Sequence, residues 1–435
     1  MTLNSKAVII GAVALGAGIH AAEAVEIQVP TDSKWEVIIR GFVAADFNWD
    51  QHDLGAAEPF LPAPDNSPQA QNRALRFSAS QSQIGFYTQP PARDTFSTDA
   101  YLEMDFLKGA IDGMQDHLTA ATPRLRLAYA QVHWNNGLDT LTVGQTYALF
   151  GDLWPDQTFD NLSLAAGTII GREPQIQYVH LSPVNPGSQM TYALSLNAPN
   201  SGLFNEDTGT AEASGAPFVH AKIGFQSDAL GKADYYGFEH HAPIPAEIAL
   251  TGFIGREKIP DAAGTSQDVN AWGAAISAVL PIIGIRDEHR AGAASIDAQV
   301  WIGQQVDGYF GGNGQGVYET QSGHVAAIRA HGYFVEGKYF FTRNLNLNAI
   351  YSTDNNDLDH LTSAGIPFRI DSGLFSGTAF GAPGVNKARN IDVALWYNPF
   401  DQAFVGAVFD ERKATYNSGP NGTNIRVNLS MFYNF

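Results

Sequence analysis

Thr423 to Phe435 alternate between two chemistries. Ile425, Val427, Leu429, Met431, Tyr433 and Phe435 fall on one parity, and Asn424, Arg426, Asn428, Ser430 and Asn434 on the other. Successive side chains of a strand point to opposite faces, so this segment reads as a strand with one apolar and one wet face. Near the other end of the chain a second segment answers it: Trp35, Val37, Ile39, Gly41, Val43, Ala45, Phe47 and Trp49 share one face, with Glu36, Arg40, Asp46 and Asn48 on the other. Aromatics at both ends of the apolar face match the two interfacial girdles of a membrane barrel. Pairing the last strand with the first removes both sheet edges, and Phe435 is read as part of that barrel closure.

Sixteen segments carry this period of two, from 35–49 through 74–88, 96–106 and 124–134 to 423–435. The expected fold is therefore all-β, a transmembrane antiparallel barrel of about sixteen strands. Short turns, among them Asn135-Asn136-Gly137 and Thr342-Arg343, alternate with long loops such as 50–73, 148–173 and 353–386. Two places break the pattern. Gln226 to Ala246, with Tyr235, Tyr236 and Phe238, reads as an extra strand or a structured turn; in the second segment Arg76, Ser78, Ser80 and Ser82 share a parity with Ile84 and Phe86, which calls for a bulge or for protein packing.

Lys6, an apolar run from Ala7 to Ile19 and small residues ending at Ala22-Glu23-Ala24 form the pattern of a secretory leader over residues 1–24. That run is too short to cross a bilayer core of ~30 Å as a helix. Residues 25–435 then form one barrel domain, because no linker, charge block or compositional break divides them. The chain has no cysteine, so stability must come from ladder hydrogen bonds and burial. Lys and Arg number 25 against 44 Asp and Glu, for a net charge of −19, which argues against a nucleic-acid partner.

An arginine on the lipid face of a barrel costs about 2–4 kcal/mol at mid-depth, so the strand arginines should face the lumen. Arg40, Arg76, Arg124, Arg126 and Arg172 are the candidate basic side of a constriction. A functional role requires some of them to escape pairing with strand carboxylates such as Asp99, Glu103 and Asp105. The acidic side is expected from loop 148–172, the third loop, folded into the lumen: Asp152, Asp156 and Asp160 stand four residues apart and would share one face if the segment around Trp154-Pro155 is helical. Acid facing base across a pore makes a transverse field that sorts solutes by charge.

Enzyme signatures are weak, and the reading is of a non-enzymatic protein without metal or cofactor. His240 and His241 are adjacent and would point to opposite faces of a strand. Gly312, Gly314 and Gly316 lack the spacing of a dinucleotide site and read as a flexible loop. Asp354, Asp357 and Asp359 are placed in an outer loop, where such acid could bridge to lipopolysaccharide or keep the loop soluble.

Arg76-Phe77-Ser78-Ala79, Gln81-Ser82, Gly85-Phe86, Tyr101-Leu102-Glu103-Met104-Asp105-Phe106, Arg124-Leu125-Arg126-Leu127-Ala128-Tyr129, Val143-Gly144-Gln145-Thr146 and Pro174-Gln175-Ile176 before Tyr178 together resemble the DcaP-like outer-membrane porins. They cover about a quarter of the chain; the C-terminal third is similar only in pattern. The resemblance implies a sixteen-stranded homotrimeric channel in the cell outer membrane, passing small hydrophilic solutes with a preference for anions such as dicarboxylates. Ser80, Gln83 and Gln177 stand where the family pattern places Arg, which makes this lumen less basic. Two other readings stay open: a cation-preferring or unselective pore, and a barrel serving as an outer-membrane enzyme or adhesin.

Overall fold

The structure, a computed structural model, describes residues 27–28, 35–53, 61–91, 95–106, 123–156, 166–199, 214–234, 243–285, 290–370, 384–400 and 402–435. Sixteen antiparallel strands close into one barrel. The first eight are β1 (Glu36–Asp50), β2 (two runs, Ala74–Ser78 and Gln83–Gln89), β3 (Phe96–Asp105), β4 (Arg124–Trp134), β5 (Asp139–Tyr147), β6 (Arg172–Asn185), β7 (Ser188–Asn197) and β8 (Phe218–Ala233). The others are β9 (Ile244–Pro260), β10 (Ser266–Ile283), β11 (Ala294–Gln304), β12 (Arg329–Phe340), β13 (Leu345–Asn356), β14 (Val385–Phe400), β15 (Ala403–Tyr416) and β16 (Gly422–Asn434).

Closure is between β1 and β16, in register from Phe42 opposite Asn434 to Asp50 opposite Arg426. Gly41 and Phe435 exchange both backbone hydrogen bonds at 3.0 and 2.9 Å. β1 runs on past Phe435 at the short-turn end, and Ile27–Gln28 takes up that edge, with Ile27 opposite Ile39. Part of the β1 edge that β16 does not reach is thereby paired, in keeping with the bilayer's demand for satisfied backbone groups. Outward residues such as Val43, Leu194, Leu250, Ile302 and Val427 remain exposed, forming the apolar belt that lipid covers.

Two pattern breaks resolve physically. β2 is interrupted by a turn at Ala79–Ser82, closed by a bond from Ser82 N to Ala79 O. Its first run pairs with the upper part of β1 and its second with the lower part. Parity flips across the break, so Arg76 and Gln83 both face the lumen while Ile84 and Phe86 face lipid. Between β8 and β9 the register slips from Ser227 to Lys232, and β8 continues to Ala233. Tyr235, Tyr236 and Phe238 lie outside the described residues, as do residues 1–24.

At the long-loop end a three-stranded sheet of Val317–Thr320, Val325–Ala327 and Phe368–Ile370 sits inside the rim. Tyr318, Leu358, Leu361, Phe368 and Ile370 form its small core.

Candidate functional site

The basic wall is built on β1 to β6. Against β3, Glu103 opposes Leu127 and Met104 opposes Leu125, so Arg126 is an extra residue, a bulge. Below it Tyr129 and Gln131 face the lumen; above it Arg124 faces the lumen and Leu125 faces lipid. One inserted residue thus gives β4 a tyrosine-lined lower half and an arginine-lined upper half without exposing charge to lipid. Gln145 Nε2 fills the gap by donating to the carbonyls of Leu125 and Arg126 at 3.3 and 2.9 Å.

The five arginines expected at the constriction divide into two groups. Arg124 grips Asp105 through two bonds of 3.0 and 2.7 Å. Arg126, fully buried, donates to Glu103 at 2.7 Å, to Asp105 at 3.2 Å and to the Tyr147 hydroxyl at 3.2 Å. Arg76 stands apart from them, near the β1–β16 seam. It bonds Asp50 at 2.9 Å and also Asp53, while Arg426 holds the same Asp50 through two bonds of 2.8 Å. Each of these three charges is answered by carboxylate.

Arg40 and Arg172 are not answered in that way: neither has an ion-pair partner among the described residues. Arg40 lies 5.1 Å from the ring centres of both Tyr87 and Tyr101, a cation held by π faces that leaves its charge available. Room for this comes from Gly85, opposite Arg40, because a Cβ there would stand 2.3 Å from the Tyr101 hydroxyl. Tyr101 in turn donates to Glu103 at 2.7 Å. Arg172, half-buried, lies 6.0 Å from the Tyr147 ring centre and within electrostatic reach of Arg124, Arg126 and Asp105.

The third loop does turn into the barrel, but not in the expected form. Asp152 to Pro155 adopt no regular secondary structure, and no helix forms around Trp154-Pro155 among the described residues. The residue before a proline is pushed out of helical geometry, and the wall side chains bond the loop backbone instead. Gln299 donates to Leu153 O at 3.2 Å, Trp301 to Gly167 O at 2.9 Å and Asn348 to Asp156 O at 3.1 Å, while Asp156 N donates to Glu336 at 3.1 Å. Asp152 and Asp156 therefore share no helical face. The Asp152 carboxylate takes 2.8 Å from Lys222 and 3.1 Å from Ser277, and Asp156 lies beside Glu336 and Lys338, the latter bound to Asp297 at 2.7 Å. These contacts dock the loop on the β8–β13 wall. Asp160 lies outside the described residues.

A second loop shares the lumen. Val306, Asp307, Gly308, Tyr309, Phe310 and the residues through Thr320 are buried, so the glycine-rich stretch around Gly312, Gly314 and Gly316 is a packed inward loop rather than a flexible one. Gln305, Phe310, Gly312, Asn313 and Gly314 all have positive φ between 52° and 66°, a run of tight left-handed turns. Asp354 and Asn356, on β13, hold it: Asn313 N donates to Asp354 at 2.9 Å and Asn356 Nδ2 to Gly312 O at 2.7 Å. Asp354 is thus a lumen residue and not a loop acid. Tyr309 binds the third loop through a 3.0 Å bond from Ile170 N, and packs on Phe150 at 5.1 Å.

Phe150, Ile169, Val306 and Tyr309 from the two loops, with Phe218, Phe253 and Trp301 from the wall, make an apolar core inside the barrel. Ile170 and Phe310 carry it across to Tyr101, Leu127, Tyr129 and Tyr147, beside the arginines. Sequence periodicity missed this second loop; the signal available was Tyr309-Phe310, two aromatics embedded among glycines where a solvated loop would have polar residues.

No family model matches the chain, and no curated protein does. Solved structures do. The outer membrane channel DcaP of Acinetobacter baumannii superposes with a TM-score of 0.66 at 18% identity, over 94% of this chain and 99% of that one. OprB of Pseudomonas putida gives 0.53 at 12% identity over 92% and 94%, and an anion-selective porin from Comamonas acidovorans gives 0.52 at 10% identity over 92% and 100%. Likeness at these identities establishes architecture: the chain has the fold of a sixteen-stranded porin barrel.

Proposed function

We propose that this protein is a passive porin of the outer membrane that admits small hydrophilic solutes and prefers small anions, dicarboxylates among them. The observation that carries the reading is the pair Arg40 and Arg172, cations without carboxylate partners beside the Arg124–Arg126 ladder. Arg40 and Arg172 would attract the anion, while Asp152, bound to Lys222, and Asp156, bound through its backbone to Glu336 and Asn348, would hold the constricting loop. The assembly is read as a homotrimer in outer-membrane lipid, with no enzymatic step; of the named structural neighbours, DcaP is an outer membrane channel and the Comamonas acidovorans protein an anion-selective porin.

Cation preference is favoured by a different observation. Glu257 in the upper lumen is buried and, among the described residues, bonds only uncharged Gln305, at 2.9 Å, in a chain of net charge −19. Reversal potential in a planar bilayer under a salt gradient decides between the two. Anion preference that falls in Arg172→Ala and Arg40→Ala supports the basic wall; cation preference in the unmodified protein sinks it.

A further inference from the structure

One carboxylate of the upper lumen has no cation to answer it. Glu257 on β9 is 1% exposed, and no Lys, Arg or His pairs with it among the described residues. Its Oε2 accepts from Gln305 Nε2 at 2.9 Å, while its Oε1 is buried without a hydrogen-bond partner. Asp307 and Glu173 lie within electrostatic reach of it, so the nearby charges it feels are of its own sign. Gln305, 3% exposed, stands at the start of the second inward loop, and its Oε1 is likewise buried and unbonded. That oxygen and Asp307 Oδ1 converge over Gly316, where an added Cβ would collide with the Asp oxygen and stand 2.7 Å from the Gln oxygen. Glycine at 316 thus keeps open a space faced by acceptors. Turning the Gln305 amide round only exchanges which acidic residue meets an oxygen, because one amide presents its donors on one side alone.

We propose that Glu257, Gln305 and Asp307 hold a calcium ion that ties the second inward loop to β9. Two buried acceptors without donors, Glu257 Oε1 and Gln305 Oε1, are costly unless a cation stands among them. The side-chain donors are oxygens only, two carboxylates and an amide carbonyl, which suits a hard cation. No three Asp, Glu, His or Cys side chains gather into a metal cage among the described residues, so the amide oxygen and water complete the shell. Calcium fits better than magnesium, because it accepts an irregular shell of about six to eight oxygens where magnesium requires a near-ideal octahedron. The site goes beyond the porin reading and does not depend on which ion the pore prefers.

The test uses the full-length barrel, refolded in detergent free of lipopolysaccharide, with calcium chloride as the probe. Equilibrium dialysis is expected to show one more bound calcium per chain in the unmodified protein than in Glu257→Gln, an isosteric change. Asp307→Asn, a second neutral isostere, should weaken that ion roughly tenfold. Thermal unfolding should move to higher temperature with calcium in the unmodified protein and stay put in Glu257→Gln. Equal calcium binding by the unmodified protein and Glu257→Gln would overturn the site, as would no binding at about 1 mM, the weak end for extracellular calcium modules. Conductance from the same preparations separates the two readings: a channel that binds no calcium overturns this inference alone, whereas a Glu257-dependent calcium ion in a barrel that conducts nothing supports it and overturns the porin.

Discussion

The carboxylate of Asp152 meets the ammonium of Lys222 at 2.8 Å, with both side chains 2% exposed and 70 positions between them in sequence. Glu247 stands on the other side of the same ammonium at 3.1 Å. The two partners are therefore not equivalent. Asp152→Asn leaves Lys222 paired with Glu247, whereas Lys222→Met leaves two buried carboxylates facing each other. Breaking a buried pair costs about 3–5 kcal/mol, and Lys222→Met should fall at the upper end with Asp152→Asn well below it. Thermal unfolding of the refolded barrel measures the order, and noisier single-channel current in Lys222→Met would report the loosened loop.

Removing an unpaired arginine should act on permeation more than removing a paired one. Arg40→Ala and Arg172→Ala each delete a free charge, while Arg124→Ala also releases Asp105 from one of its two arginines. At the effective dielectric near a wet protein surface a unit charge a few ångströms from a permeating ion is worth at least about 1 kcal/mol, roughly a fivefold change in permeability ratio. Permeability ratios read from reversal potentials should fall by about that factor for the first two variants and by less for Arg124→Ala, where Arg126 still holds Asp105.

Gly85→Ala tests how Arg40 is held. The new Cβ would collide with the Tyr101 hydroxyl, forcing that ring away from Arg40 and from Glu103. Overpacking of this kind costs about 1–3 kcal/mol. The barrel should still assemble, with a lower melting temperature and a loss of anion preference comparable to Arg40→Ala; unchanged selectivity would mean that Tyr101 does not position the guanidinium.

Deleting Phe435 removes the two backbone bonds it exchanges with Gly41. Each is worth about 0.5–1.5 kcal/mol net in water, and unsatisfied groups cost more where lipid replaces water. Refolding yield into detergent micelles should drop and the folded, heat-modifiable band on a gel should shift to lower temperature.

The wall was legible in the sequence because a barrel strand repeats every two residues, and an arginine on the wrong parity is costly. Even the interruption of β2 showed itself, since Arg76 and Ile84 share a parity and cannot share a face. The lumen contents were not legible. Asp156 meets Glu336 across 180 residues, and no local period encodes such a contact. Equal spacing of Asp152, Asp156 and Asp160 suggests a helix, but Pro155 and the amide-rich wall of Gln299 and Asn348 favour an irregular chain whose backbone bonds the wall. Glycines near 312 read locally as freedom, whereas positive φ in a buried loop uses them to turn tightly.

The bulge at Arg126 has a consequence for how such a pore can change. Adding or losing one residue in β4 would rotate everything beyond it by half a turn, exchanging the lumen row for the lipid row. Charge lining this passage is therefore governed by where the strand is interrupted as much as by which residues it contains. A lineage could alter its selectivity through a single-codon insertion or deletion near Arg126, where Gln145 already bridges the gap, without recruiting any new arginine.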